Sequence, residues 1–155
     1  MFTLTIIFMT YYFATLIKGN LYYNWFVNYH EKLISLYKEG RTKKSIDEQV
    51  TIPAILMTLF IVLVFILELI FFIKAISILQ IPSIILLFYS IFMTIYYCGK
   101  NKMPDMSTLI TEEGRIEYRR RLYEVTKKRT VTSVFITLVK LSYFSYMFYL
   151  FVFIL

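Results

Sequence analysis

The chain has 155 residues, 59% of them hydrophobic and 19% aromatic, with only four Gly and three Pro. A soluble domain carries about 45–50% apolar residues, so the excess calls for lipid or a large protein surface to cover it. The net charge is +7, but every Lys and Arg except Lys74 and Lys140 falls within Lys18–Val50 or Gly99–Thr130; basic segments beside apolar runs set membrane orientation, which argues against nucleic acid as the partner.

The first apolar stretch, Phe2–Ile17, ends at Lys18-Gly19-Asn20. It predicts a transmembrane helix a little short for a hydrocarbon core of about 30 Å, with Lys18 snorkelling and Tyr22, Tyr23 and Trp25 at the interface. No basic n-region and no Arg/Ser-rich segment precedes it, so the expectation is a span that stays and not a cleaved signal. Beyond Asn20, Tyr22, Phe26, Tyr29, Leu33 and Leu36 follow helical spacing, while Asn24, Asn28, Glu31, Lys32 and Ser35 fill the other side. This predicts an amphipathic helix ending near Gly40, its stripe a packing face for a membrane surface or a neighbouring subunit.

Ser45-Ile46-Asp47-Glu48 has capping-box spacing and predicts a helix start. Ile52–Cys98 follows, interrupted by only two charges, Glu68 and Lys74. A span takes about 20 residues and must be helical in lipid, so this run predicts two helices, about 52–73 and 82–98, folded back at Lys74–Pro82. Pro53 falls in the first turns, where a missing N–H costs least or leaves a kink. Ser83, Ser90, Thr94 and Tyr97 share one face of the later helix, as protein-facing polar residues do.

In the second basic segment, Ser107–Arg129 reads as a helix with Glu117→Arg121 and Glu124→Lys128 pairs. Tyr118, Leu122 and Val125 form its apolar stripe, and Gly114 weakens it by about 1 kcal/mol relative to Ala. Val131–Leu155 is the last span, about 37 Å long, with Ser133, Thr137, Lys140 and Tyr143 along one side. The fold class is therefore all-α: one polytopic membrane domain over 1–155. It has four transmembrane helices in two hairpins (about 2–17, 52–73, 82–98 and 131–155). Two basic amphipathic helical loops, 18–50 and 99–130, lie on one side. Ile7-Phe8-Met9-Thr10 recurs as Ile91-Phe92-Met93-Thr94; the alternatives are a duplicated two-span unit and, favoured here, a chance match from a biased composition.

Glu68 and Lys140 are the only charges deep in these spans. Each costs about 2.5–3.5 kcal/mol at a helix centre on insertion scales, so each needs a reason. Counted from the basic side, Glu68 lies about 24 Å along its span and Lys140 about 15 Å, a gap that a long lysine largely closes. They are expected to form an intramembrane charge pair. A proton relay would need a chain of titratable groups, and the spans carry one carboxylate. A single cysteine excludes an internal disulfide or a Cys-pair metal site, and a single histidine excludes bis-histidine haem ligation. There is no Gly-rich phosphate loop and no nucleophile–base pattern. No catalytic, cofactor-binding or metal residues are expected, and no enzyme. Arg119, Arg120, Arg121, Lys127, Lys128 and Arg129, next to a span, are expected to hold head groups of anionic phospholipids such as cardiolipin.

Phe, Tyr, Ile, Leu and Met abound while Gly, Ala and Pro are scarce, as in chains from AT-rich coding genomes. With its apolar start and no presequence, the chain resembles the orphan inner-membrane proteins encoded by protist mitochondrial genomes, especially those of ciliates. That resemblance implies a diverged or lineage-specific subunit of a respiratory-chain complex, partnered by other membrane subunits in the mitochondrial inner membrane. Leu67-Glu68-Leu69-Ile70 is similar to the membrane glutamate of the smallest antiporter-like subunit of complex I. That family has a second glutamate in its following span, where Pro82–Cys98 has none, so its proton-path role does not carry over. The expectation is a non-catalytic structural or assembly subunit. The alternatives are a small bacterial or phage plasma-membrane protein acting alone, of immunity or pore-forming type, and an ion- or proton-conducting subunit using Glu68.

Overall fold

In a computed structural model of the chain, residues 1–19, 21–100, 103–127 and 130–154 are described, the side chains of 21, 97–100 and 127 excepted. Among them every regular element is helical: α1 (Phe2–Lys18), α2 (Leu21–Lys38), α3 (Lys43–Ala75), α4 (Gln80–Lys100), a 3-10 turn (Met106–Ile110), α5 (Glu112–Lys127) and α6 (Val131–Phe153). Contacts gather them into two compact units, Met1–Leu21 with Leu63–Tyr97 and Arg129–Leu155, and Tyr22–Val62 with Cys98–Lys128. α3 contributes to both.

In the first unit α1 packs along α6. Gly19, at φ 84°, ends α1 by returning its N–H to the Thr15 carbonyl at 2.9 Å, a backbone conformation that suits glycine. Thr130 starts α6, its hydroxyl accepting from the Ser133 N–H at 3.2 Å. The core is aromatic: Phe8 stacks on Phe144 at 5.1 Å, and Phe71 lies 4.9 Å from the same ring. Phe72 meets Tyr143 edge-on at 5.6 Å. Such pairs are worth about 0.5–1.5 kcal/mol each beyond the area they bury.

This unit is apolar outside as well as inside, and it encloses polar groups within its aromatic core. Thr5, Glu68, Ser83, Ser90 and Lys140 are buried, while Ile73, Ile85, Phe88, Phe92 and Phe135 are each more than half exposed. Water would penalise that outer surface heavily, at about 25 cal/mol per Å² of apolar area. Among the described residues two helices, α3 and α6, are long and apolar enough to cross a membrane. α1, with 17 residues, and the Gln80–Tyr96 stretch of α4 are shorter than that.

The second unit is built on the amphipathic face of α2. Leu33, Ile34 and Leu36 pack with Ile46 and Val50 of α3, Leu109 of the 3-10 turn and Tyr118 of α5. Gly40, at φ 68°, closes α2. Its N–H reaches the Tyr37 carbonyl at 3.1 Å and the Arg41 N–H reaches that of Leu36 at 3.4 Å. This is the paired bonding of a Schellman cap, with glycine in the left-handed position. Tyr22 and Trp25, expected at a membrane interface, set their rings near Phe60, at 5.9 and 6.1 Å.

Three local expectations fail here. The capping box at Ser45 does not start a helix: α3 begins at Lys43, with the Thr42 carbonyl accepting from Ile46 N–H at 3.1 Å, so Ser45 lies inside it. Thr42 is as good a start residue, and placing it first draws the charged Lys43–Val50 segment into the same helix as the apolar run. Pro53 then falls in the helix interior, unable to donate to the Gln49 carbonyl. Ser107–Arg129 is broken at Thr111. Asp105 caps the 3-10 turn by accepting from Ser107 N–H, and Thr111 caps α5 by accepting from Gly114 N–H at 3.1 Å. A Cβ on Gly114 would lie 1.8 Å from the Thr108 carbonyl oxygen. Glycine here permits a close backbone approach instead of merely weakening a helix.

Candidate functional site

Glu68 of α3 and Lys140 of α6 meet inside the first unit. Their side chains form an ion pair, Lys140 Nζ donating to Glu68 Oε1 at 2.7 Å. Tyr12 of α1 completes the cluster. Its hydroxyl donates to the same carboxylate oxygen and accepts from Lys140 Nζ at 3.1 Å. All three residues are no more than 8% exposed. The ammonium also sits 5.3 Å from the Tyr12 ring centroid and 6.0 Å from that of Phe72, within reach of their π faces. The gap in depth counted from Ile52 and Val131 is no obstacle, since Lys140 Nζ reaches the carboxylate directly.

Three helices thus converge on one point, each through a single polar group. A buried ion pair offsets its desolvation only with good geometry and further hydrogen bonds. The Tyr12 hydroxyl supplies those bonds by serving as donor and acceptor at once. A second contact lies on α4 and α6, where Ser83 Oγ and Tyr143 Oη are 2.7 Å apart. The Ser90 hydroxyl is buried with no hydrogen-bond partner among the described residues.

In the second unit, His30 and Tyr118 form a buried pair, Nδ1 to Oη 2.7 Å. Burial lowers the imidazole from its ordinary 6.5 to about 4. Tyr118 is pushed up to about 12, by burial first and then by Tyr29 and Tyr37. Both are therefore neutral at pH 7, and the tautomer of the imidazole decides which of the two donates.

The basic cluster on α5 is engaged with carboxylates. Arg119 makes a bidentate contact with Glu31 of α2 at 3.0 and 2.9 Å, Arg120 pairs with Glu117 at 2.8 Å, and Arg121 pairs with Glu124 at 3.2 Å. The expected Glu117→Arg121 spacing is replaced by these three-residue pairs. Hydrogen bonding to Glu31 raises the already high pKa of Arg119. Lys128, Arg129 and the side chain of Lys127 lie outside the described residues. Among the described residues, no group of three His, Cys, Asp or Glu side chains is placed to hold a metal ion.

The class this defines is coarse: all-helical among the described residues, with two helices long and apolar enough to cross a membrane, or three if α1 and α2 together make one bent span. Compared with known proteins, the chain matches no family model, no curated protein and no solved structure.

Proposed function

We propose that this chain is a multi-pass membrane protein serving as a non-catalytic structural subunit of a larger membrane assembly, and, on its composition, of a respiratory-chain complex of the mitochondrial inner membrane. The observation that carries the structural role is the closed Tyr12–Glu68–Lys140 cluster, in which one carboxylate oxygen takes both donors. A relay group must exchange partners with a path on each side. Here the deep charges are consumed by each other, which suits a clamp joining three helices. The apolar exterior of the first unit supports lipid or neighbouring subunits as its surroundings.

In this proposal α1 and α4 are further spans, making four. α1 brings Tyr12 to the charges of α3 and α6, the two long apolar helices, and is expected to lie in lipid beside them. The basic segments face the matrix, and both termini and Lys74 face the other side. Anionic phospholipid is held by those segments. Two measurements test the proposal. In mild detergent the chain should migrate with a respiratory complex on a native gel; a folded monomer as the sole species would refute it. Cysteines replacing Lys44 and Glu117 should be labelled from one face of the membrane and one replacing Ser77 from the other. Labelling of Lys44→Cys and Glu117→Cys from opposite faces would end the four-span arrangement.

A further inference from the structure

The second unit contains a cavity of about 650 Å³ where the turn after α2 and the start of α3 meet the 3-10 turn. That volume lies within the range of about 300–1,000 Å³ typical of small-ligand sites. Its charged lining is balanced: Arg41 and Lys43 on one hand, Asp47 and Asp105 on the other. Among the described residues no ion pair joins any of these four to another. Arg41 spends its Nε on Glu39 at 2.8 Å, leaving its terminal nitrogens to donate elsewhere. Asp105 accepts the Ser107 N–H at 2.9 Å through Oδ1; that bond, the Ser107 side chain and the nearby Lys43 ammonium hold its carboxyl below its ordinary value. Met106 and Ile110 add an apolar wall beside these charges.

Four charges of both signs facing one cavity, with no direct ion pair among them, set the chemistry of what fits. A simple anion such as phosphate would meet two carboxylates, and a simple cation would meet a guanidinium and an ammonium. Like charges brought together without compensation are costly. A ligand carrying a phosphate and an amine a few bonds apart satisfies both sets. We propose that this cavity is a binding site for a phosphoethanolamine group. Arg41 and Lys43 take the phosphate, with the guanidinium presenting its paired donors. Asp47 and Asp105 accept from the primary ammonium, and Met106 and Ile110 cover the adjoining carbon chain. The site is independent of the clamp in the first unit and does not rest on the proposed respiratory role. The same group occurs on a lipid and on a soluble phosphodiester, and the two sources separate experimentally.

The test uses the full-length chain in detergent micelles and in phosphatidylcholine nanodiscs. Binding of soluble glycerophosphoethanolamine is measured by calorimetry, and binding of phosphatidylethanolamine by its enrichment around the protein in nanodiscs of mixed composition. Lys43→Gln and Asp47→Asn alter exposed side chains, so both variants should keep the wild-type circular dichroism spectrum and melting temperature. Each should weaken binding at least tenfold, and the choline analogue, which cannot donate from its quaternary nitrogen, should bind at least tenfold more weakly than the ethanolamine form. Saturable binding of the soluble compound with those losses upholds the site and identifies a free ligand. The same losses seen only with the lipid uphold it and identify the membrane as the source. Phosphatidylglycerol binding as well as phosphatidylethanolamine, an unchanged affinity in Asp47→Asn, or no binding of either ethanolamine compound would overturn the proposal.

Discussion

Replacing Glu68 by Gln keeps the shape of the side chain but leaves the Lys140 ammonium buried against a neutral amide. Replacing Lys140 by Met removes the other charge and leaves Glu68 with the Tyr12 hydroxyl alone. Because the pair is direct, at 2.7 Å, and both side chains are nearly inaccessible, each single change should cost about 3–5 kcal/mol, the penalty for stranding a buried charge. The double change strands nothing. Gln and Met bury without a net charge, so the pair of substitutions should cost much less than the sum, with a coupling energy of about 2–3 kcal/mol. Tyr12→Phe removes a hydroxyl bonded to charged partners and should cost about 1.5–3 kcal/mol. Against a total stability of about 5–15 kcal/mol, these losses are readable as shifts in an unfolding midpoint. The assay is denaturant unfolding of purified protein in bicelles, followed by circular dichroism, for the wild type, both singles and the double. If the single effects simply add, to within about 0.5 kcal/mol, the two residues are not coupled and the clamp is wrong. If the proposed respiratory assembly holds, proton translocation per turnover should be normal in Glu68→Gln; its selective loss would make Glu68 a relay.

The histidine of the second unit supplies a pH test. Its folded pKa of about 4 lies below the ordinary 6.5, so the unfolded chain binds the proton more readily between those values. Stability from this group is complete above about 6.5, falls as pH drops through the window, and is fully lost below about 4, a difference of about 3 kcal/mol. His30→Gln should flatten that part of the stability–pH curve; parallel curves for variant and wild type between pH 7 and 4 would sink the assignment. Gly114→Ala, which in an open helix gains about 1 kcal/mol, should instead destabilise by about 1–3 kcal/mol, since the new methyl group meets the Thr108 carbonyl. A raised melting temperature in that variant would show that the 3-10 turn does not pack there.

What could be read from the sequence was set by local chemistry. The apolar run Phe2–Ile17 and the Thr130-Val131 boundary mark α1 and α6 within a residue or two of their ends. Gly40, the stop after an amphipathic stripe, takes the left-handed cap that such a glycine serves. Glu68 and Lys140 stood out because charge is scarce in apolar segments. Their third partner did not, since Tyr12 is one of 14 tyrosines and nothing near it in the chain marks it as polar in purpose. His30 and Tyr118 are 88 positions apart, joined by packing that no local pattern encodes. The start of α3 was missed for a different reason. Two capping signals, at Thr42 and Ser45, compete within one turn, and the change from polar to apolar composition near Ile52 is no boundary for the backbone.

The clamp is assembled from pieces that do not come into existence together. Synthesis delivers Tyr12 first and Glu68 next, while the lysine that answers Glu68 lies 72 positions further on, in the last helix of the chain. For all of that interval the growing polypeptide carries an acidic group in an apolar segment with only a phenol to meet it. A chain that ends between Glu68 and Lys140 stays in that condition permanently. A chain that carries both residues is charge-balanced at this point, and one that carries Glu68 without Lys140 is marked by an unanswered carboxylate.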